Sequence, residues 1–348
     1  MSSNAEIDDL RLPPQFKGTS FSGFKKTDVR KQFLQNMIKG RIEPACYWAA
    51  ELICAGQFTD LWENIFHFMA KHIHLGNAKM PIYVEMRYSV FTNIMNQRLF
   101  SNEIQLRNNP TVRRLFAELI CNLTLSPRKP SFETTKIVKK EEFDITQMGE
   151  RLKADRADYA NTLFEEKDPR ELLIPVNEFV FELRRKNMST CCYWVEWMID
   201  FDTISKSNKR PTKCVPRNYS VELKYRGDII WFIWDAILAE RDRINDVFIG
   251  KILGALLKLF CAKYTTAAAK KRRYLLYMAI ETLTEQVHSN IEIVANMATL
   301  ENVVSKIDEV YKQIKKNETG SGTDYIFDGL GKEANFQRTV QKLEMMGF

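Results

Sequence analysis

The sequence predicts an all-α protein: two tandem, related five-helix bundles, a long C-terminal heptad helix and extended terminal arms. Gly and Pro are scarce, at 14 and 11 of 348 residues, whereas β-sandwiches and barrels need many Gly- and Pro-rich turns. Apolar residues recur at helical spacing along most of the chain. A short aromatic signature also occurs twice, which predicts that one structural unit is duplicated.

The aromatic signature lies at residues 45–53, ACYWAAELI, and again at 191–199, CCYWVEWMI. Each copy follows a charged amphipathic segment and has one charged residue, Glu51 or Glu196. Because a helix that is apolar all round is buried, we expect each copy to be the central helix of its bundle. Later residues match at an offset of 160, Leu115 with Leu275 for example, which favours duplication.

An N-terminal arm is expected over residues 1–23, which show no period and contain two adjacent prolines. The first bundle is expected over 24–126. An asparagine N-cap followed by proline, Asn109-Pro110, opens its last helix. The predicted helices of this bundle lie at about 26–39, 44–55, 58–75, 81–100 and 110–125.

A polar, basic linker is predicted over 127–168, with a bridging helix at about 147–166. The second bundle is expected over 169–290. Its length differs from that of the first mainly in a loop before the third helix, as expected because insertions fall in loops. The predicted helices lie at about 176–187, 189–200, 221–240, 245–264 and 270–288.

A heptad helix is predicted over 291–318, because apolar residues there alternate in steps of four and three. We expect an exposed seam that binds partners or a second copy of the chain. The tail, 319–348, opens with a flexible Gly/Ser/Thr stretch and ends in a short amphipathic helix. The seam residues are Ile293, Met297, Leu300, Val304, Ile307, Tyr311 and Ile314, and the apolar residues of the tail helix include Phe336, Val340 and Leu343.

The formal charge of +7 fits an acidic partner, which could be nucleic acid or protein. One basic cluster lies in a loop, and another heads a helix, where cations oppose the helix dipole. A solvated surface is the alternative for both. The candidate partner-binding cations are Lys206, Lys209, Arg210, Lys213 and Arg217 in the loop, and Lys270, Lys271, Arg272 and Arg273 on the helix. A third cluster comprises Lys136, Lys139 and Lys140.

No enzyme is predicted, and no catalytic residue, metal or cofactor is assigned, because none of the phosphate-loop, nucleophile-elbow or HExxH patterns occurs. Zinc ligands on one helix face prefer a spacing of four, which His67, His72 and His74 lack. Asp200 and Asp202 have no third carboxylate at diagnostic spacing.

The buried carboxylates Glu51 and Glu196 must be paired or protonated. A catalytic acid is one interpretation, and an internal salt bridge to an arginine of a neighbouring helix is the favoured one. The adjacent Cys191 and Cys192 are expected to pack in the core as reduced thiols.

The cysteine count and the N-terminus predict a reduced protein of the cytoplasm. Seven cysteines are scattered without C-x-x-C spacing, which is typical of intracellular proteins. The N-terminus is polar and acidic, so no secretory signal is predicted. The longest apolar run, 229–238, is far shorter than a membrane span.

A resemblance rests on residues 45–58, ACYWAAELICAGQF, and on the later segments 60–63, 74–77 and 81–83. This first third of the chain resembles a helical protein of the large nucleocytoplasmic DNA viruses, including those that infect algae. The resemblance implies a minor capsid component under the major capsid shell. The implied partners are the major capsid protein and other minor capsid proteins, and the implied location is the virion.

The function expected from these features is that of a structural minor capsid protein. It would bridge or cement major capsid proteins through its arms, basic loops and heptad helix. The alternative is a nucleic-acid-binding or transcription-associated module, since two five-helix units are similar in topology to cyclin-box proteins. Salt-dependent DNA binding that is lost on neutralising residues 270–273 would favour the alternative.

Overall fold

The computed structural model describes residues 5–96, 103–134, 137, 143, 148–319 and 332–345. These residues form helices and loops and no β-strand, so the all-α class is confirmed. They divide into two compact units: unit 1 comprises residues 1–68, 86–127 and 292–348, and unit 2 comprises 69–85 and 128–291. The predicted boundaries differ from these, because they place 69–85 in the first bundle and 291–348 outside both bundles.

Five helices come from the first part of the chain: α1 (Lys26–Ile38), α2 (Ile42–Cys54), α3 (Phe58–Phe68), α4 (Met80–Asn96) and α5 (Pro110–Leu125). Gly40 and Gly56, both at positive φ, follow α1 and α2. Asn109 caps α5, since its side chain accepts a hydrogen bond from the Val112 amide at 3.1 Å. A π-helical turn, Met69–Ile73, follows α3 where one longer helix was predicted.

Unit 2 contains the middle helices: α6 (Leu173–Arg184), α7 (Met188–Ser207), α8 (Trp231–Ile244), α9 (Val247–Cys261), α10 (Ala268–Lys271) and α11 (Arg273–Thr284). Asp246 caps α9 by accepting hydrogen bonds from two backbone amides. The predicted helix at 221–240 begins only at Trp231, because an irregular loop with one 3₁₀ turn extends to residue 230.

Both copies of the aromatic signature form buried helices, as predicted. In α2 every residue from Pro44 to Cys54 is buried, and in α7 every residue from Cys191 to Ile199 is buried. Helix α2 packs against α1 and α5, and α7 packs against α6 and α11. These neighbours agree with the predicted correspondence, but the full five-helix order is not reproduced, so the duplication stays a prediction.

The last two helices belong to unit 1: α12 (Met297–Lys315) and α13 (Lys332–Met345). Asn296 caps α12 through a 2.9 Å hydrogen bond from the Thr299 amide. The helix packs lengthwise on α2 and α5. The predicted flexible stretch after Thr319 lies outside the described residues.

The N-terminal segment is not a free arm in the described residues 5–23. Ile7, Phe16 and Phe21 are buried in unit 1. The backbone of Ile7 exchanges two hydrogen bonds, both 2.9 Å long, with the side chain of Asn108. The arm prediction is wrong for these residues because their apolar side chains follow no regular period yet complete the core.

The predicted bridging helix at about 147–166 is also absent from the residues described there. Residues 148–166 contain only two short 3₁₀ turns, Met148–Arg151 and Asn161–Leu163. Two buried side chains hold this segment instead. Glu178 accepts hydrogen bonds from the amides of Lys153 and Ala154, and Asn177 donates one to the Arg156 carbonyl. Amides that bond side chains in this way are satisfied without a helix.

Candidate interaction surfaces

Arg217 of the basic loop is an internal cation rather than a surface one. Its guanidinium is buried and donates to Asp168 at 2.7 Å and to Asp235 at 2.8 Å. It also donates to the carbonyls of Leu163 and Val215. Burial alone would raise the pKa of Asp168, but the hydrogen bonds from Arg217 and two backbone amides hold that pKa below its usual value. Arg217 therefore stabilises unit 2 and is removed from the candidate binding residues.

The other cations of the loop remain near solvent. Lys206 pairs with Asp202 one turn earlier on α7, and Lys213 pairs with the buried carboxylate of Asp228. Lys209 and Arg210 are exposed. The half-exposed pair of Lys206 is weak, so Lys206, Lys209 and Arg210 keep most of their capacity to attract an anion, whereas buried Asp228 offsets the charge of Lys213.

The basic cluster at 270–273 also contains both internal and exposed cations. Arg272 is buried and donates to the Phe260 carbonyl at 2.6 Å, at the end of α9. Arg273 pairs with Glu196 at 2.7 Å. Lys270 and Lys271, on α10, are exposed. Two of the four predicted candidates thus have structural roles and two can meet a partner.

The loop lies beside residues 224–228 and Tyr264, and α10 follows closely, since the Ala268 amide at its start donates to the Thr265 carbonyl. The Cys214 amide donates to the Gly227 carbonyl at 2.9 Å, which brings the loop beside residues 224–228. Tyr264, just after α9, contacts Tyr225 ring to ring and hydrogen-bonds Asp228. Exposed or half-exposed cations collect along these segments. We call them the basic surface: Lys209, Arg210, Lys213, Lys224, Arg226, Lys263, Lys270 and Lys271.

Three members of this surface, Lys224, Arg226 and Lys263, were not among the candidates predicted from the sequence. Lys224 and Arg226 flank Tyr225 and Lys263 stands alone, so no long run of charge marks them. Two carboxylates also belong to the face: Asp228 pairs with Lys213, and Glu222 pairs with Lys224 at 2.7 Å. The surface therefore keeps a large positive excess.

An open depression of about 580 Å³ lies within the basic surface. Arg226 and Lys263 supply its cations, and Ser220 and Thr265 add hydroxyl groups to its wall. The Arg226 Nε donates to the Val221 carbonyl, which fixes the direction of the guanidinium. Side chains of this kind can hold an anion through charge and hydrogen bonds together.

Lys209 and Lys263 adopt left-handed backbone conformations, with φ of 57° and 43°. Glycine is the usual residue there, and a side chain costs about 1 kcal/mol. Lys186, which follows α6, has φ of 59°. A cation beside a helix C-terminus recovers part of that cost, so the conformation alone does not indicate function. Lys186 and Lys209 flank opposite ends of α7, roughly 30 Å apart for its 20 residues.

The predicted heptad seam faces the interior of unit 1. Leu300, Ile307 and Tyr311 are buried against α2 and α5. Val304 is only half-buried, and its neighbour Val303 is buried instead. The exposed seam is a wrong prediction, because periodicity identifies the apolar face of a helix without identifying what covers it. Leu300, Ile307, Tyr311 and Ile314 are therefore covered in this structure, whereas Met297 is exposed and Ile293 precedes the helix.

Arg113 connects α12 to the rest of unit 1, and no sequence pattern indicated it. Its buried guanidinium donates to Asp308 of α12 at 2.9 Å and to the Ala5 carbonyl at 2.9 Å. It also lies 3.9 Å from the centre of the Tyr311 ring. One cation thus joins α5, α12 and the N-terminal segment.

Helix α13 lies on unit 1 through its predicted apolar stripe. The Phe336 ring is 5.3 Å from that of Phe24 and 5.5 Å from that of Trp48. Leu343 is buried, whereas Phe336 and Val340 are half-buried. Over residues 335–345, Leu343 has the only buried side chain, so α13 is held by a small contact.

Glu51 is buried without an arginine, contrary to the favoured interpretation. The Ser20 hydroxyl donates to it at 2.7 Å, and Ser22 donates through its amide and its hydroxyl. Tyr47 also hydrogen-bonds this carboxyl group. Burial raises the pKa of Glu51 and outweighs these hydrogen bonds, which lower it. The group anchors the N-terminal segment to α2.

Glu196 forms the predicted internal salt bridge. It accepts from Arg273 at 2.7 Å and from the Tyr277 hydroxyl at 2.8 Å, both on α11. Burial raises its pKa, although Arg273 and Tyr277 oppose the shift. Glu51 and Glu196 therefore have unlike partners, in agreement with their different positions in the two copies.

The histidines and cysteines assemble no site in the described residues. His74 is buried with its Nδ1 3.0 Å from Glu281, which also pairs with Lys129. No three His, Cys, Asp or Glu side chains of the described ranges meet as a metal site would require. Cys191 and Cys192 are buried as predicted, and burial raises their pKa values.

No helix in the described ranges is long and apolar enough to cross a membrane. The third basic cluster, at 136–140, falls almost wholly outside those ranges; only Ile137 is described there. No protein-family model matches the chain, and comparisons with curated proteins and with solved structures give no match.

Proposed function

We propose that the chain is a structural component of the particle of a large DNA virus, where it bridges the major capsid protein and other minor capsid proteins. The resemblance of the first third of the sequence motivates the viral assignment. The observation that carries the bridging role is the weak attachment of α13 to unit 1. The proposal no longer rests on the N-terminal segment or on α12, since both are internal.

Helix α13 has the features of a segment that a partner can capture. A helix of 14 residues is marginal by itself in water, so it needs a surface for its apolar stripe. Its spacing of Phe336, Val340 and Leu343 is that of peptides that bind helix-accepting grooves. A partner that buries all three side chains more fully than unit 1 does would compete for the helix.

A partner can displace unit 1 from α13 when the partner is held nearby at high concentration, as in a capsid shell. A tethered segment meets its own docking surface at an effective concentration in the millimolar range. A partner in dilute solution must therefore bind α13 tightly, whereas a neighbour held in a shell reaches a comparable concentration. On this proposal α13 docks on unit 1 before assembly and on a neighbouring capsid protein afterwards.

The test compares three forms of the chain in sedimentation with purified major capsid protein. The full chain should co-sediment, and a chain ending at residue 319 should not, although its circular dichroism should retain the signal of a helical fold. Phe336→Ala should weaken co-sedimentation, and Met345→Ala, on an exposed residue of the same helix, should leave it unchanged. Undiminished binding by the shortened chain, or its loss of fold, would contradict the proposal.

A second measurement addresses the viral assignment itself. Quantitative mass spectrometry of purified particles should find the chain at a copy number in fixed ratio to the major capsid protein. Detection in infected cells but not in particles would refute a structural role.

A further inference from the structure

We infer that the basic surface of unit 2 binds the phosphate backbone of a nucleic acid strand, with Arg226 and Lys263 gripping a phosphate in the depression between them. This binding is independent of the bridging role of α13, because every residue involved belongs to unit 2.

The cations of the basic surface come from separate stretches of the sequence. The backbone bond between Cys214 and Gly227 and the contacts of Tyr264 bring together cations from three separate stretches of sequence, near 209–213, 224–226 and 263. Lys270 and Lys271 extend this set along the chain, on the short helix that begins four residues after Tyr264. Cations spread over an extended face suit a polymer with regularly spaced charges, since each phosphate contact adds affinity by releasing counterions.

The cations of unit 2 differ in type between the interior and the basic surface. Arg217, Arg272 and Arg273 form buried or internal hydrogen bonds, whereas the exposed members of the surface are mostly lysines. Arginine suits fixed, bidentate pairing, and lysine acts as a compact point charge that a phosphate can meet from many directions. A lysine-rich face can therefore meet successive phosphates of a strand without requiring one fixed orientation.

The depression also suits a phosphate. Arg226 and Lys263 line it together with Ser220 and Thr265, so a phosphate placed there could meet cations and hydroxyl donors at once. Glu222 also lines the depression, and its carboxylate is engaged by Lys224 at 2.7 Å. Charge and hydrogen-bond donors thus occur on the same wall.

The test measures binding of the full chain to a fluorescein-labelled single-stranded DNA of mixed sequence over a range of salt concentrations. The logarithm of the affinity should fall linearly with the logarithm of the salt concentration. Lys263→Gly should weaken binding several-fold and reduce that slope by about 0.7, the value for one lost phosphate contact on a single strand. A combined Lys270→Gln and Lys271→Gln variant should reduce it further.

Lys186→Gly is the matched control. Lys186 and Lys263 share a left-handed conformation after a helix, so glycine should not lower the melting temperature of either variant. Only Lys263→Gly should change DNA binding, because Lys186 does not line the depression and lies at the opposite end of α7 from Lys209. Equal loss of binding in both variants would refute the assignment of Lys263.

Competitors decide the chemical class of the ligand. Unlabelled DNA should displace the probe, and a polyglutamate peptide of equal charge should not. Displacement by polyglutamate at equal concentration would assign the surface to an acidic protein and overturn the inference, as would tighter binding to vesicles of anionic lipid than to DNA.

Discussion

Arg217→Met should destabilise unit 2 strongly, although Arg217 lies in a loop that reads as a surface cluster. The substitution keeps a long side chain but removes the donors that reach Asp168 and Asp235. The side chain of Asp168 is fully buried, so its negative charge would lose its cation. Removing one partner of a buried ion pair costs about 3–5 kcal/mol.

The expected loss converts to a shift in melting temperature that is easy to measure. For a unit of 150–250 residues, each kcal/mol moves the midpoint by about 2–4 °C, so the shift should be roughly 6–20 °C. Thermal unfolding followed by circular dichroism and by calorimetry would give this value. Arg210→Met is the matched control, because Arg210 is exposed in the same loop, and its effect should stay within about 0.5 kcal/mol.

A double variant makes the reasoning sharper. Adding Asp168→Asn to Arg217→Met removes the uncompensated charge, so the double variant should be more stable than the sum of the two single losses predicts. The coupling should fall within about 0.5–3 kcal/mol. Equal stability of Arg217→Met and Arg210→Met would refute the internal role of Arg217 and return it to the surface candidates.

Two more predictions concern unit 1. Glu51→Gln should gain stability relative to the wild type as the pH rises: the folded pKa of Glu51 lies above its unfolded value, so the wild type loses up to about 1.4 kcal/mol per pH unit between the two. Urea unfolding from about pH 5 to about pH 7 would measure this, and parallel pH profiles would contradict it. Arg113→Met should cost about 1–3 kcal/mol, because the buried Ala5 carbonyl loses its donor, whereas the half-exposed Asp308 can bond water instead. Arg114→Met, on the exposed neighbouring residue, should change the unfolding free energy little in the same urea experiment, and equal effects would refute the role of Arg113.

Local composition was enough to predict the fold class and the two buried helices. From Pro44 to Cys54, helix α2 carries one charge, and such an apolar segment is stable only when other helices of a bundle cover it. The start of α5 at Asn109-Pro110 could also be predicted from local sequence, because a cap acts within one helical turn.

Contacts between segments that are far apart in the chain could not be predicted from the sequence. Ser20 and Ser22, which bind Glu51, lie about 30 residues before it in a segment without a period. The seam of α12 was found correctly as an apolar face, but its partner could have been another chain as easily as α2. Neither charge runs nor spacing distinguish a cation at the surface from one with a distant buried partner.

The same limit applies to the candidate surfaces. Lys209 and Arg217 look equivalent in the sequence, and only the fold shows that Asp168 lies beside one of them. Conversely, Arg226 and Lys263 are 37 positions apart in the chain, and the fold brings both to the wall of the depression. Neighbouring charge could have identified neither.

The residues after α12 hydrogen-bond to the N-terminal segment: the Asn317 side chain donates to Ser22, and the Thr319 amide donates to Asp9. During translation, these hydrogen bonds cannot form until the ribosome has made residue 319, long after residues 1–68. At about 5–20 residues per second, residue 319 is made roughly 13–50 s after residue 68. The apolar faces of α2 that α12 later covers stay open for that time. Chaperone binding to nascent chains should therefore concentrate on α2, and unit 2, whose last residue precedes α12, should fold first.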